Sequence, residues 1–183
     1  FAHGAMCMCY SGQCFFSSVI GGRSGNRGLC AQPCRLKYGW GNKANEYPLS
    51  LKDASLVSYL KELNDMGVAC LKLEGRMKRP EYVATVTKVY REAMDSGNVT
   101  RNQVNQLLTA FNRQGFTDGY FAGETGKDMF GIREETAEDT SFLRRMRQTY
   151  EAAENQLVEV KLHAVITHEG SSLTVTDPEG RSC

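Results

Sequence analysis

Apolar residues recur at helical spacing in three segments of the chain. The spacing predicts helices over residues 53–66, 80–96 and 100–112. Asp53 suits the N-cap of the first helix, and Pro80 suits the first helical position of the second. The residues expected to face the core are Leu56, Val57, Leu60 and Leu63 in the first helix, Val83, Val86, Val89, Tyr90 and Ala93 in the second, and Val104, Leu107, Leu108 and Phe111 in the third.

Short apolar runs precede the first two helices. Residues 48–51 and 68–73 predict strands, and we expect the second strand to be buried because its apolar run is nearly unbroken. The order strand, helix, strand, loop, helix is typical of a parallel α/β sheet or barrel. The sequence therefore predicts an α/β fold, in which the loop at residues 74–79 follows a strand. Functional groups gather at such strand ends.

The pattern changes twice in the last third of the chain. Residues 113–133 are rich in glycine and aromatic residues and predict a long loop. A strongly charged helix is expected over residues 133–154. Apolar and polar residues then alternate from Leu157, and a turn at residues 168–170 separates two strands. This alternation predicts a β-hairpin that opens a second, β-rich domain.

Composition and charge exclude several classes of protein. The chain has 183 residues, of which 41% are hydrophobic and 23% charged, and this argues against a disordered protein. Lys and Arg number 22 against 21 Asp and Glu, so only a local basic patch is expected. No apolar run approaches the ~20 residues that span a bilayer, and the start does not resemble a signal peptide. We expect a cytoplasmic protein with no membrane partner, and a piece of a longer chain, because the first residue is Phe1.

Seven cysteines are present, and five of them fall within the first 34 residues. The odd number and the clustering favour metal or iron–sulfur ligation over a disulfide framework. Six residues separate Cys7 from Cys14, three separate Cys30 from Cys34, and fifteen separate the two pairs. Four thiolates suit either zinc or an iron–sulfur cluster, although the six-residue gap fits a zinc ribbon poorly. For Cys9 we expect a buried small residue.

The loop at residues 74–79 is the second candidate for chemistry. Arg76, Lys78 and Arg79 could hold a phosphate or a carboxylate. Glu74 could act as a general base, as a ligand or as the ion-pair partner that orders Arg76. The alternative is a solvated loop with a surface salt bridge.

Basic residues also flank the cysteines. Arg23, Arg27 and Arg35 suggest an anionic partner close to the cysteines, such as RNA phosphate, while a charged rim is the alternative. The sequence shows no Ser/His/Asp arrangement, no zinc-protease helix and no Walker-type phosphate loop. A hydrolytic protease therefore has no visible machinery.

Several separate blocks of the sequence resemble the collagenase-like peptidase family U32. They cover about two thirds of the chain. The most distinctive are HGAMCMCYSGQC at residues 3–14, CAQPCR at 30–35, LKLEGRMK at 71–78 and NRQGFTDGY at 112–120. Shorter matching blocks lie at residues 17–18, 22–28, 48–53 and 80–83.

The resemblance implies an enzyme with a barrel-like catalytic domain. Members of the family hydroxylate transfer RNA, ribosomal RNA or a ubiquinone precursor without molecular oxygen, and others are named proteases. By position, Cys7, Cys14, Cys30 and Cys34 match the ligands of a 4Fe–4S cluster, with Cys70 in reserve. Prephenate is the implied oxygen donor, and an electron or oxygen-donor small molecule and RNA are the implied partners.

The same resemblance predicts the domain organisation and the site roles. Residues 1–125 correspond to the C-terminal portion of the barrel-like domain, 126–155 to a charged helical linker and 156–183 to the start of a C-terminal β domain, as in the long members that act on ribosomal RNA. The catalytic candidates are Glu74, Arg76 and Lys78, and the substrate-binding candidates are Arg23, Arg27, Arg35 and Arg79. A peptidase and a non-catalytic zinc-bound RNA-binding module remain the alternatives.

Overall fold

The computed structural model describes residues 1–10, 12–134, 138–151, 160–168 and 170–182. The chain divides into two compact units, Phe1–Arg147 and Gln148–Cys183. Within the described ranges no helix is both long enough and apolar enough to cross a membrane.

The elements of the described residues follow the chain in this order. The helices are α1 (Phe16–Gly21), α2 (Leu60–Asp65), α3 (Pro80–Ser96), α4 (Arg101–Ala110), α5 (Gly119–Ala122) and α6 (Thr140–Glu151). The strands are β1 (His3–Ala5), β2 (Tyr38–Trp40), β3 (Lys43–Glu46), β4 (Asp53–Ser55), β5 (Phe116–Thr117), β6 (Lys161–Ile166) and β7 (Ser171–Thr176). Short 3₁₀ turns lie at Gly25–Arg27, Pro33–Arg35, Val57–Tyr59 and Lys127–Met129.

A small mixed sheet organises the first unit. Its order is β1-β4-β5, with β1 antiparallel and β5 parallel to β4. The fold is therefore mixed α/β, but the antiparallel β1–β4 pair departs from the parallel sheet that the order of elements predicts. The hairpins β2–β3 and β6–β7 form two separate antiparallel pairs.

The core of the first unit lies under α3 and α4. Val86, Val89 and Ala93 of α3 are at most 2% exposed, and Leu107 of α4 is fully buried. Pro80 occupies the first turn of α3, as expected, because its fixed φ suits that position. Val83 contradicts the prediction: it is 45% exposed, and Tyr82 takes the inward position instead.

The strand predicted at residues 48–51 is wrong. Leu51 forms only a single bridge, with Phe130, and the strand itself starts at Asp53. Asp53 therefore does not cap a helix but lies in a strand. Its carboxylate is buried, and it is stabilised there by its pair with Arg113. The expected helix over 53–66 is correspondingly shorter, since a 3₁₀ turn at Val57–Tyr59 precedes α2.

The buried strand predicted at residues 68–73 is also wrong. This segment runs beside β1, where the Ala2 N–H donates to Lys72 O and the Glu74 N–H donates to His3 O. Only Leu73 forms a bridge, with His3, and Val68 is 42% exposed. An apolar run does not distinguish a covered strand from an extended edge segment.

The last third of the chain is more structured than its composition indicates. The predicted loop at 113–133 contains β5 and α5, and α6 begins at Thr140 instead of at residue 133. Residues 135–137 and 152–154 of the expected helix lie outside the described residues, as does Glu169 of the expected turn. The β-hairpin is confirmed: β6 and β7 pair in register from Lys161 opposite Thr176 to Ile166 opposite Ser171.

Candidate cysteine centre and adjoining cationic pocket

Two chain segments carry the cysteines to one side of the first unit. Cys7 follows β1 and Cys14 precedes α1, while Cys34 lies in the 3₁₀ turn that Pro33 opens. Arg35 ties these segments together, because its guanidinium donates to the Met6 carbonyl at 2.7 Å. The same guanidinium donates to the Leu51 carbonyl and to Ser50 Oγ. Arg35, predicted to bind substrate, thus also holds the cysteine segments in place.

Gly25 and Gln32 pack closely around Cys30 and Cys14. Gly25 packs against them, since a Cβ there would lie 3.5 Å from Cys30 Cβ and 3.8 Å from the Cys14 carbonyl oxygen. Gln32 adopts a left-handed conformation with φ of 56°, which is uncommon for a residue with a side chain. In this conformation its backbone N–H donates to Cys30 Sγ at 3.2 Å.

The cysteine thiols lie close enough to influence one another. Burial raises the pKa of the Cys34 thiol, and the nearby thiols of Cys7, Cys30 and Cys14 raise it further against the opposing charge of Arg35. Desolvation, followed by the charge and hydrogen bond of Cys14, raises the pKa of the Cys9 thiol. The four predicted ligands therefore share one region.

The expectation that Cys9 is buried is wrong. Its side chain is exposed, because the chain bends at residues 8–9 instead of running extended. Cys7 is exposed too, and Cys14, Cys30 and Cys34 are half-buried. Cys70, the reserve ligand, is exposed in the segment beside β1.

The chemistry of the donors fits a four-thiolate metal or cluster site. Thiolates are soft ligands, and the Gln32 N–H to Cys30 Sγ bond is the kind of donation that stabilises a ligating sulfur. Across the described ranges no three His, Cys, Asp or Glu side chains already stand together as a metal-binding group.

The loop at residues 74–79 reaches in two directions. Glu74 accepts a hydrogen bond from the Arg76 backbone N–H at 3.3 Å and lies 3.9 Å from Lys72 Nζ, so it orders the loop backbone. The Arg76 guanidinium lies against Gly28, where a Cβ would be 3.3 Å from Nη1. Arg76 thus points towards the cysteine segments, whereas Lys78 lines a cavity on the other side of the loop.

The remaining basic candidates lie at the surface. Arg23 Nε donates to the Leu29 carbonyl at 3.0 Å, and Arg27 is exposed. Arg79 pairs with Glu138 at 2.8 Å. None of these arrangements prevents the side chains from meeting an anionic partner, since all three are largely exposed.

A cavity of about 640 Å³ opens between the 74–79 loop, the end of α4 and the segment that leads to α6. Phe111 is its organising residue. Lys78 Nζ lies 2.8 Å from the centroid of the Phe111 ring, and the guanidinium carbons of Arg113 and Arg133 each lie 4.8 Å from it. The negative face of an aromatic ring attracts cations, and three cationic groups lie around Phe111.

Burial and charge act together on this cluster. Arg113 Nη1 donates to both carboxylate oxygens of Asp53, at 2.6 and 2.7 Å, and the Asp53 side chain is 1% exposed. Burial lowers the pKa of Lys78 to about 7; the Asp53 charge opposes this, and the guanidiniums of Arg113, Arg133 and Arg35 add to it.

Two buried polar groups lie beneath the cations. Tyr82 lines the cavity and is 4% exposed, and its hydroxyl has no hydrogen-bond partner among the described residues. Burial raises the pKa of Tyr82. His3 is fully buried and accepts or donates a bond at Nδ1 with the Tyr90 hydroxyl, at 3.3 Å. Burial, and then the charge of Lys78, lowers the pKa of His3 to about 4.

Sequence reasoning missed most of this pocket. Phe111 was expected to be a core residue, and neither Tyr82 nor Arg133 was a candidate. Arg113 lies within one of the blocks that resemble the family, which is the one signal that pointed to it. The Asp53–Arg113 pair depends on a contact across 60 positions, so no local pattern reports it.

A model of peptidase family U32 matches residues 1–131. The chain belongs to peptidase family U32. The matched region contains every cysteine candidate, the 74–79 loop and Arg113, and it ends two residues before Arg133.

Curated members of family U32 with similar sequences carry two kinds of name. A "Collagenase" of Porphyromonas gingivalis is 40% identical over 139 residues, covering 68% of this chain and 33% of the relative. The "tRNA hydroxylation protein P1" of Bacillus subtilis is 35% identical over 152 residues, covering 72% and 36%. The "23S rRNA 5-hydroxycytidine synthase" of Escherichia coli is 38% identical over 133 residues, covering 69% and 20%.

The chain spans about a third of the length of the collagenases that it matches. No solved structure matches it significantly.

Proposed function

We propose that this chain carries the cysteine centre of an iron–sulfur enzyme that hydroxylates a nucleobase of ribosomal or transfer RNA without molecular oxygen. The observation that carries the proposal is its similarity, at 35–38% identity, to relatives named for hydroxylation of these two RNAs. The shared region of the four candidate thiols supports it.

The proposed cofactor is a 4Fe–4S cluster held by Cys7, Cys14, Cys30 and Cys34, with Cys70 as the reserve ligand. Such a cluster supplies one-electron chemistry when it is bound. This chain's own contribution is to position the thiols. Arg35 joins the segments of Cys7 and Cys34, and the Gln32 N–H donates to Cys30 Sγ.

The basic residues divide into two groups in this proposal. Arg76 and Lys78 hold an anionic group of the substrate or of the oxygen donor, for which we propose prephenate, and Glu74 orients this loop or moves a proton. Arg23, Arg27, Arg35 and Arg79 bind RNA phosphate, since Arg is well suited to phosphate. The exposure of Arg23, Arg27 and Arg79 supports that role.

We also propose the finer organisation of the chain. Residues 1–125 form the C-terminal portion of a barrel-like catalytic domain, residues 126–155 a charged helical linker and residues 156–183 the start of a β domain. The match to the family over residues 1–131 and the β6–β7 hairpin support this division.

Mass spectrometry of nucleosides tests the reaction. RNA from cells that lack the gene should regain the hydroxylated nucleoside when the gene is restored. A Cys34→Ser gene should restore none, and a Cys9→Ser gene should restore it fully, because Cys9 is outside the proposed ligand set. Equal rescue by both genes, or by neither, would contradict the proposal.

A peptidase is the second candidate, because two similar relatives are named collagenase. The sequence has three histidines, and His3 is the one that lies within the unit Phe1–Arg147. Its side chain is fully buried. A histidine-activated nucleophile is therefore not accessible in that unit. Cleavage of gelatin that persists in the Cys34→Ser protein would favour the peptidase over the hydroxylase.

A zinc-bound RNA-binding module is the remaining alternative. Such a protein would bind RNA but would neither hydroxylate RNA nor cleave gelatin.

A further inference from the structure

Cys9 is a thiol that the proposed ligand set does not use. Its side chain is exposed, and a hydrogen bond joins it to the side chain of Cys14, which is half-buried. Free cysteine is among the residues most often buried, and its reactivity usually matters more than its packing. The exposed thiol in contact with a candidate ligand therefore points to a chemical role for the pair.

A tight turn places the two cysteines side by side. The Gln13 backbone N–H donates to the Tyr10 carbonyl at 3.1 Å, and Gly12 supplies a φ of 82° that residues with a side chain rarely adopt. Cys9 and Cys14 come directly before and directly after this turn. Chain segments that flank such a turn run next to each other, at the separation that a disulfide spans.

Other pairings of the neighbouring thiols are less favourable. One residue separates Cys7 from Cys9, so a bond between them would close a strained ring. The sulfur of Cys30 already accepts a hydrogen bond from the Gln32 backbone N–H. Cys9 and Cys14 are therefore the pair that the backbone best prepares for a disulfide.

We propose that Cys9 is a resolving thiol for Cys14, which it captures as a disulfide when hydrogen peroxide reaches the metal-free protein. The peroxide first oxidises one thiol of the pair to a sulfenic acid and is itself reduced to water. The other sulfur then attacks the sulfenic sulfur, the S–S bond forms, and the hydroxyl leaves with a proton as a second water molecule. The pair has lost two electrons to the peroxide, and a thiol reductant returns them.

The disulfide would keep Cys14 recoverable as a ligand. A sulfenic acid without a neighbouring thiol is oxidised further to a sulfinic acid, which thiols do not reduce, whereas a disulfide is reversible. A metal-bound Cys14 has no free thiol, so the disulfide belongs to the metal-free protein. This protective role rests on the proposed ligand role of Cys14, but formation of the disulfide does not depend on RNA hydroxylation.

Peptide mapping tests the disulfide. The full chain is stripped of metal with a chelator, treated with hydrogen peroxide and alkylated at its remaining thiols. Chymotrypsin cuts after Tyr10 and separates Cys9 from Cys14, and fragmentation of the linked peptides distinguishes Cys9 from Cys7. We expect the Cys9–Cys14 linkage to be at least about tenfold more abundant than any other, because proximity raises its effective concentration. Dithiothreitol should remove it.

Iron uptake after the same treatment tests the protective role. Once dithiothreitol has been added, the parent protein should take up iron and sulfide nearly as well as untreated protein. The Cys9→Ser protein should recover at least about fivefold less, with Cys14 carrying two added oxygen atoms by mass spectrometry. The matched control is Cys70→Ser, which removes another exposed thiol and should recover like the parent.

Two results would overturn the inference. One is a linkage map in which Cys14 joins Cys7, Cys30 or Cys34 more often than it joins Cys9. The other is equal recovery of iron uptake by the parent and the Cys9→Ser protein. A protein that shows both expected results but restores no hydroxylated nucleoside in cells would support the role of Cys9 and contradict only the proposed reaction.

Discussion

Asp53 and Arg113 show how one buried contact can determine a site. The carboxylate of Asp53 accepts two hydrogen bonds from a single guanidinium nitrogen of Arg113, and the two side chains are 1% and 8% exposed. The guanidinium of Arg113 also lies against the ring of Phe111, and Lys78 and Arg133 contact the same ring. The ion pair therefore fixes the residue around which the cationic pocket is built.

Removing one partner of this pair should be costly. Asp53→Asn leaves a buried guanidinium without its counter-charge, and we expect a loss of about 3–5 kcal/mol in the free energy of unfolding. The matched control is Asp95→Asn, which breaks the exposed pair with Arg91 and should cost about 1 kcal/mol or less. Urea unfolding of both variants measures the difference, and equal losses would contradict the role of the buried pair.

His3 makes the stability of the fold depend on pH. Its pKa is about 4 in the fold against 6.5 for an unperturbed histidine, so the folded state favours the neutral ring. The stabilising effect is complete above pH 6.5 and is lost as the pH falls through 4. The shift corresponds to about 3 kcal/mol. Unfolding free energies measured between pH 7 and 4 should fall accordingly; a flat profile would contradict the burial of a neutral His3.

At the scale of elements, the long helices were predictable and the short ones were not. The apolar spacing of residues 80–96 and the alternation after Leu157 gave α3 and the β6–β7 hairpin, because both patterns are local. The strands β1, β4 and β5 have at most three residues each. Such strands exist only through pairing with distant segments, and no sequence window reports that pairing.

Gly4 allows the 74–79 loop to pack against β1. A Cβ at Gly4 would lie 2.5 Å from the Glu74 carbonyl oxygen, and its φ of +124° disfavours any side chain. We expect Gly4→Ala to destabilise the fold by roughly 2–4 kcal/mol, through the clash and the strain together.

Gly97 provides the control for this variant. It has a φ of +70° but nothing within 4 Å of its Cβ position, so Gly97→Ala isolates the conformational cost of about 1 kcal/mol. Chemical unfolding of the two variants should separate them clearly. If Gly97→Ala costs as much as Gly4→Ala, the close approach of the loop is not what requires Gly4.

At the scale of the whole molecule, the proposed function depends on membership of family U32 and on the cysteine centre. The spacing of the cysteines and the blocks of resemblance were readable from the sequence, and the thiols of Cys7, Cys14, Cys30 and Cys34 lie in one region. The pocket was not readable, because Lys78, Phe111 and Arg133 come from three separate segments.

The metal content of the protein tests this account most directly. Protein purified without air should be brown, with about four irons and four sulfides for each four-thiolate site. Serine at position 7, 14, 30 or 34 should remove most of the iron, while Cys9→Ser, the control at a neighbouring exposed thiol, should retain it. Colourless protein with stoichiometric zinc, or iron that survives all four substitutions, would contradict the cluster assignment and with it the proposed chemistry.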